Sequence, residues 1–208
     1  MPVPNTYPGK FIVFEGLDGS GETTQAGLLK EFLEKNGIEV LLTKEPTDYL
    51  PIGSLIRTVL QEKEVTSPHA LQLLFTANRG DHLNRIIIPA LKKGFWVVCD
   101  RYFYSTFAFG SIDLPTDWLI SINDLYLQPD KVFLMRVSPE VCIERIHRRG
   151  VGIQLFEKKA KLEKAWSGYE KIAERFKEIT IINGERSIED IAKDIRKEAK
   201  KFFEISPD

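Results

Sequence analysis

Short apolar runs alternate with helix-spaced apolar stripes along nearly the whole chain. KFIVFE (10–15), EVLLT (39–43), FWVVCD (95–100), KVFLMRV (131–137) and ITIIN (179–183) are rich in branched and aromatic side chains at consecutive positions. A strand with one wet face alternates apolar and polar residues. A strand apolar throughout is covered on both sides, as in a parallel sheet clad by helices. Between these runs the period lengthens. Leu28, Leu29, Phe32 and Leu33 lead into the Asn36-Gly37 stop signal, and Leu71, Leu74, Phe75 and Asn78 share a stripe. Leu162, Trp166, Tyr169, Ala173 and Phe176 recur at alternating four- and three-residue steps, and Ile188, Ile191, Ile195 and Ala199 do the same near the end. The pattern predicts an α/β fold: an open five-stranded parallel sheet with helices on both faces.

A chain of 208 residues supports one such domain, expected over 10–204, with residues 1–9 as a flexible tail. Lys and Arg total 29 against 30 Asp and Glu, a net charge of −1 that provides no broad basic field for nucleic acid or an anionic membrane. No apolar run has the length of a membrane span, and residues 1–9 lack the charged start and apolar middle of a secretion signal. Cys99 and Cys142 are far apart in apolar stretches, which predicts free buried thiols and a reducing, cytoplasmic setting. His69, His82 and His147 have no ligand spacing and read as surface or core residues. The charge-rich stretch 157–204 reads as solvated helix faces. Any grip on an anion must therefore come from local geometry.

Such geometry follows the first strand directly, in Gly16-Leu17-Asp18-Gly19-Ser20-Gly21-Glu22-Thr23-Thr24. Glycines at the first, fourth and sixth positions let successive backbone N–H groups turn inward, and the helix start adds the positive end of its dipole. The pattern is that of a nucleoside-triphosphate phosphate loop, G-x-x-x-x-G-K-[ST], with Thr23 where a hydroxyl holds Mg²⁺. A tight strand-to-helix turn needing glycine only for packing is the weaker reading. Glu22 stands where the motif has lysine. A carboxylate about 4 Å from a phosphate oxygen costs about 4 kcal/mol per charge pair at an effective dielectric near 20, so this exchange bears directly on catalysis.

From the loop onward, over roughly 10–200, the chain resembles the thymidylate kinases of the nucleoside-monophosphate kinase group. The resemblance is carried by FEGLDGSGETTQ, Lys44-Glu45-Pro46, the helix Leu73 to Arg79, Asp100-Arg101-Tyr102-Phe103-Tyr104-Ser105, Pro129-Asp130, Ser138-Pro139-Glu140 with Arg145, Arg148-Arg149-Gly150 and Phe156-Glu157, in that order. It implies a three-layer P-loop fold with a short lid at about 148–157, a homodimer, and transfer of a phosphoryl group from ATP to dTMP with Mg²⁺. Gly16 to Thr24 would hold ATP, and Thr23 with Asp100 the Mg²⁺. Asp18, Lys44, Pro46, Phe75, Arg79, Arg101, Ser105 and Phe109 would hold dTMP. In that set Asp18 bonds the 3′-hydroxyl, Phe75 stacks on thymine and Arg79 bonds its carbonyl. Independently, Phe75 and Arg79 are four apart on one helix face, the pairing of flat ring and guanidinium that suits a nucleobase. From the helix alone, core packing for Phe75 and a surface charge for Arg79 are the simpler roles. Asp100-Arg101 closes an apolar strand, where open α/β sheets bind ligands; there Arg101 would neutralise phosphate charge.

The departures from the family pattern bear on function. Lys44 replaces an arginine, and Phe109-Gly110 stands where many relatives carry Tyr-Gln. The family's catalytic arginine lies at the position of Gly19 or in the lid, and Val151 to Leu155 has none. Arg148 and Arg149 are therefore the candidates to join Arg101 and Asp100 in catalysis, with Arg145 nearby and a helix-dipole role as the alternative. Glu22 also raises other readings: a nucleotide-binding homologue without turnover, or an introduced substitution. Lys44 and Phe109 raise a shifted acceptor such as dUMP.

Overall fold

The computed structural model describes residues 3–61, 63–148 and 155–203. Strands β1 (Phe11–Gly16), β2 (Val40–Lys44), β3 (Trp96–Asp100), β4 (Lys131–Arg136) and β5 (Ile179–Asn183) form one parallel sheet in the order β2-β3-β1-β4-β5. The expected five strands are thus all present and all parallel. The helices are α1 (Glu22–Lys35), α2 (Pro51–Leu60), α3 (Pro68–His82), α4 (Ile88–Lys92), α5 (Phe103–Gly110), α6 (Thr116–Ser121), α7 (Pro139–Arg148), α8 (Leu155–Arg175) and α9 (Ile188–Phe203).

Alternate residues of β1 feed two cores. Phe11 and Val13 join Leu83, Ile87, Phe103, Phe107, Leu162 and Tyr169 on one face, while Ile12 and Phe14 join Leu29, Leu33, Ile191 and Ile195 on the other. The strand is buried at every position, which is why its sequence shows no alternation. β2 and β5 depart from that expectation, for they are the sheet's edges and leave Leu42 and Ile181 40% and 46% exposed. Pro89 interrupts the helical run from 68 to 92. It has no N–H to give and crowds the carbonyl four residues back, and the turn before it, Leu83–Ile87, widens to a π-helix.

The described residues before β1, expected as a flexible tail, bond to the body of the fold. Val3 pairs with the 126–128 segment through two backbone bonds. Asn5 donates to Asp130, and Asp130 also takes the first N–H of β1. Arg149 and the expected lid residues 150–154 lie outside the described residues. Among those described, no helix is long and apolar enough to cross a membrane.

Candidate active site

The carboxyl end of the sheet carries the site, because β1 and β3 are neighbours and each hands its last residues to a loop there. After β1 the chain turns through Gly19 and Gly21, whose φ of 91° and 103° lie in the left-handed region. Gly21 is the N-cap of α1, so the helix's first N–H groups face the cleft. Gly19 lies against α7, where a Cβ would come within 2.7 Å of the Cys142 carbonyl oxygen and 3.0 Å of Ile146. An arginine at that position has no room in this packing.

After β3 comes Arg101, whose backbone φ is 72°, a conformation that side-chain-bearing residues rarely adopt. Its guanidinium gathers most of the sequence-predicted site. Nη2 donates to Glu22 Oε1 at 2.7 Å and to Asp18 Oδ1 at 3.0 Å, and Nη1 donates to Ser105 Oγ at 3.2 Å. The Phe109 ring lies 5.5 Å from Cζ. Burial works against the arginine's charge, but the Glu22 and Asp18 carboxylates more than offset it and hold its pKa well above the ordinary value. Burial raises the pKa of Glu22 despite Arg101, and nearby Asp100 adds to the rise. The carboxylate at the lysine position is therefore a buried partner of the very arginine expected to hold phosphate.

Thr23 Oγ1 donates to Asp100 Oδ2 at 2.5 Å, so the two oxygens expected around Mg²⁺ converge. One hydroxyl and one carboxylate fit that ion, a hard cation that keeps waters and completes its shell with substrate phosphates. No cluster of three or more His, Cys, Asp or Glu suited to a metal is found among the described residues. Lys44 and Glu45 line the same cleft as Asp18, Glu22 and Arg101. Lys44 is paired with Asp48 at 2.8 Å, and Arg57 also reaches Asp48, so the exposed lysine carries its own counter-charge.

Two sequence expectations change here. Arg79 is not a surface charge; it is 2% exposed. Its donors go to Glu45 at 2.8 Å, Asn123 at 2.5 Å and Thr106 at 3.2 Å, and its Cζ lies 5.2 Å from the Tyr102 ring centre. Phe75, four residues earlier on α3, is half-buried. Arg148, expected in catalysis, is exposed and pairs with Glu144 one turn back on α7. A lone arginine at a helix end satisfies itself locally when a carboxylate sits at i−4. Arg145 is the α7 arginine that does reach the loop, bonding the Ser20 carbonyl at 3.3 Å and the Gly184 carbonyl at 2.9 Å.

The sequence reading missed a second shell of buried polar groups. His82 sits between Thr43 Oγ1 at 2.8 Å and Glu45 Oε1 at 3.2 Å, which leads from β2 through Glu45 to Arg79. Asn78 and Thr47 bond each other twice beside them. Glu15, next to last in β1, has no exposed surface, and burial pushes its pKa up to about 7. The available signal for Glu15 was a lone carboxylate closing an apolar strand just before the glycine loop. Burial also raises Cys142 to about 12 and holds Cys99 well above the ordinary thiol value, so both thiols stay protonated.

A family model for thymidylate kinase matches residues 14–195. The chain is 46% identical over 194 residues to a probable thymidylate kinase of Pyrococcus horikoshii, covering 90% of this chain and 94% of that one. It is 42% identical to a probable thymidylate kinase of Thermococcus gammatolerans, with the same coverage, and 39% identical to a thymidylate kinase of Plasmodium falciparum over 93% of this chain and 91% of that one. With the phosphate loop after β1, the Asp-Arg pair after β3 and the parallel sheet that brings them together, these matches establish that the chain belongs to the thymidylate kinase family.

Proposed function

We propose that the protein transfers the γ-phosphoryl group of ATP to dTMP, giving ADP and dTDP. The observation that carries this reading is the convergence of Arg101, Asp18 and Ser105 beside the glycine loop. Phosphoryl transfer asks little covalent chemistry of the protein, and positioning with charge neutralisation does most of the work. The loop N–H groups and the start of α1 hold the donor phosphates. Thr23 and Asp100 would hold Mg²⁺, which when bound neutralises phosphate charge. Arg101 and Lys44 take the acceptor phosphate, whose oxygen is already anionic, so no general base is required. With Glu22 in place of the loop lysine, Arg101 supplies the positive charge once its contact with Glu22 is exchanged for phosphate. Phe75 offers its ring to the base. Arg79 reaches the base edge by giving up Thr106, the longest of its three side-chain bonds.

The test is ADP release with ATP, Mg²⁺ and dTMP against a no-acceptor blank, with dUMP as a parallel acceptor. Turnover that depends on dTMP supports the reading. Binding of dTMP without turnover means a protein that acts by occupancy, and preference for dUMP means a shifted acceptor. The same reading includes a homodimer in the cytoplasm. Leu55 and Leu60 on α2 and Leu73 on α3, each about half exposed, favour a second copy as the cover of that face. Sedimentation equilibrium tests the dimer.

A further inference from the structure

We infer that Glu15 is the positioning residue for Arg101, setting both the backbone turn and the hydroxyl on which its guanidinium rests. The inference rests on the kinase reading, in which Arg101 holds the acceptor phosphate. Two neighbouring groups at the end of β1 clamp the turn. The Phe14 carbonyl accepts the Arg101 N–H at 2.9 Å, and Glu15 Oε1 accepts the Tyr102 N–H at 2.8 Å. Between them they fix the residue whose φ is 72°. Glu15 Oε1 also accepts the Ser105 N–H at 3.2 Å, so a strand carboxylate serves the first turn of α5 as a cap. Tyr102, the N-cap itself, makes no side-chain cap bond.

The other carboxylate oxygen orders the side chains. Glu15 Oε2 accepts the Ser105 hydroxyl at 2.6 Å and the Tyr169 hydroxyl of α8 at 2.8 Å. With its proton committed to Glu15, Ser105 Oγ turns a lone pair to Arg101 Nη1. A neutral Glu15 reverses this. Its own O–H then needs an acceptor, and a Ser105 hydroxyl that accepts from Glu15, with the Tyr169 hydroxyl also 2.9 Å away, keeps one lone pair fewer for the guanidinium. Glu15 has no surface exposed to bulk solvent. The titratable groups around it are Arg101, Tyr104 on α5, Tyr169 on α8 and Cys99 on β3, while its register partner on β4 is Leu134. Asp18 and Glu22 occupy the other terminal nitrogen of Arg101. Burial raises the Glu15 pKa to about 7, which brings this change of hydroxyl direction into the neutral range.

The experiment compares dTMP and thymidine binding by calorimetry from pH 6 to 8.5 in the unaltered chain, Glu15→Gln and Tyr169→Phe, with steady-state ADP release alongside. Glutamine donates where the carboxylate accepts, so at pH 8 Glu15→Gln should weaken dTMP binding about tenfold and leave thymidine within twofold. In the unaltered chain the advantage of dTMP over thymidine should fall on acidification through pH 7, beyond the fall that remains in Glu15→Gln. Tyr169→Phe removes a bond that favours the ionised carboxylate and should move that fall to higher pH. Equal dTMP-to-thymidine ratios in Glu15→Gln and the unaltered chain overturn the inference, as does a pH profile shared by all three proteins. Should Glu15→Gln fail to fold, the Tyr169→Phe profile decides alone. Absence of dTMP binding by the unaltered chain overturns the kinase reading instead. Inorganic pyrophosphate, which needs only the loop and Arg101, then serves as the probe in the same comparison.

Discussion

Changing Glu22 to Gln removes one formal charge and keeps the shape of a buried side chain. In the empty protein Glu22 Oε1 lies 2.7 Å from Arg101 Nη2. Taking the charge centres as about 4 Å apart, their attraction is about 4 kcal/mol at an effective dielectric near 20. Desolvation of both groups cancels a large part of it. A phosphate that takes over Arg101 must end this contact and then sit about 5–6 Å from the carboxylate, a further ~3 kcal/mol of repulsion per charge if Glu22 stays in place. Rotation of Glu22 and the remaining Asp18 contact reduce the realised difference, leaving an expected gain of ~1–3 kcal/mol for phosphate binding in Glu22→Gln, or roughly tenfold to a hundredfold in Kd. Calorimetric titration with dTMP and thymidine separates this from any change in the nucleoside pocket: dTMP should bind more tightly and thymidine the same. Raising the salt concentration should shrink the difference only modestly, because the pair is shielded from solvent. Unchanged or weaker dTMP binding by Glu22→Gln, or an equal gain for thymidine, refutes the reasoning.

Glu22→Lys should turn the attraction into a like-charge contact with Arg101, lower the Tm of the empty protein by roughly 5–10 °C, and raise dTMP-dependent ADP release; thermal unfolding with and without ATP and Mg²⁺ should show nucleotide restoring the loss. Burial lifts Glu15 from 4.5 to about 7, so the native state holds this proton more tightly than the unfolded chain. Its contribution to stability is therefore full below about pH 4.5 and falls as pH rises to about 7, by about 3 kcal/mol in all; urea midpoints at pH 5 and pH 8 should differ less in Glu15→Gln than in the unaltered chain. Gly19→Arg should destabilise by about 3 kcal/mol or more, because φ is 91° and the Cys142 carbonyl is in the way, so restoring an arginine to the loop should not restore activity; circular-dichroism melting checks the first part and ADP release the second.

The strands and the glycine loop were legible in the sequence because each is written locally. A short apolar run without alternation reads as a strand covered on both faces, which holds for β1 and not for the edges β2 and β5, and Gly19 and Gly21 stand where φ is positive. What Glu22 does was not legible. From the sequence it is a charge at odds with phosphate. Only in three dimensions does it find Arg101, seventy-nine residues later, with Asp18 on the same nitrogen. The partners of Arg148 and Arg79 were hidden for a related reason. Spacing along a helix determines which face a side chain shares, whereas the partner on the neighbouring element decides where its charge goes. Arg148 met Glu144 on its own helix, and Arg79 met Glu45, Asn123 and Thr106 from three other segments. Glu15 is the clearest case. Its strand and position could be read from FIVFEG, but its four donors come from the β3–α5 turn, from the first turn of α5 and from α8, and only their convergence on a buried carboxylate makes it part of the site. Patterning and backbone conformation act over a few residues and so determine elements, whereas the partnering of buried charge depends on contacts across the chain, and the tertiary structure alone decides it.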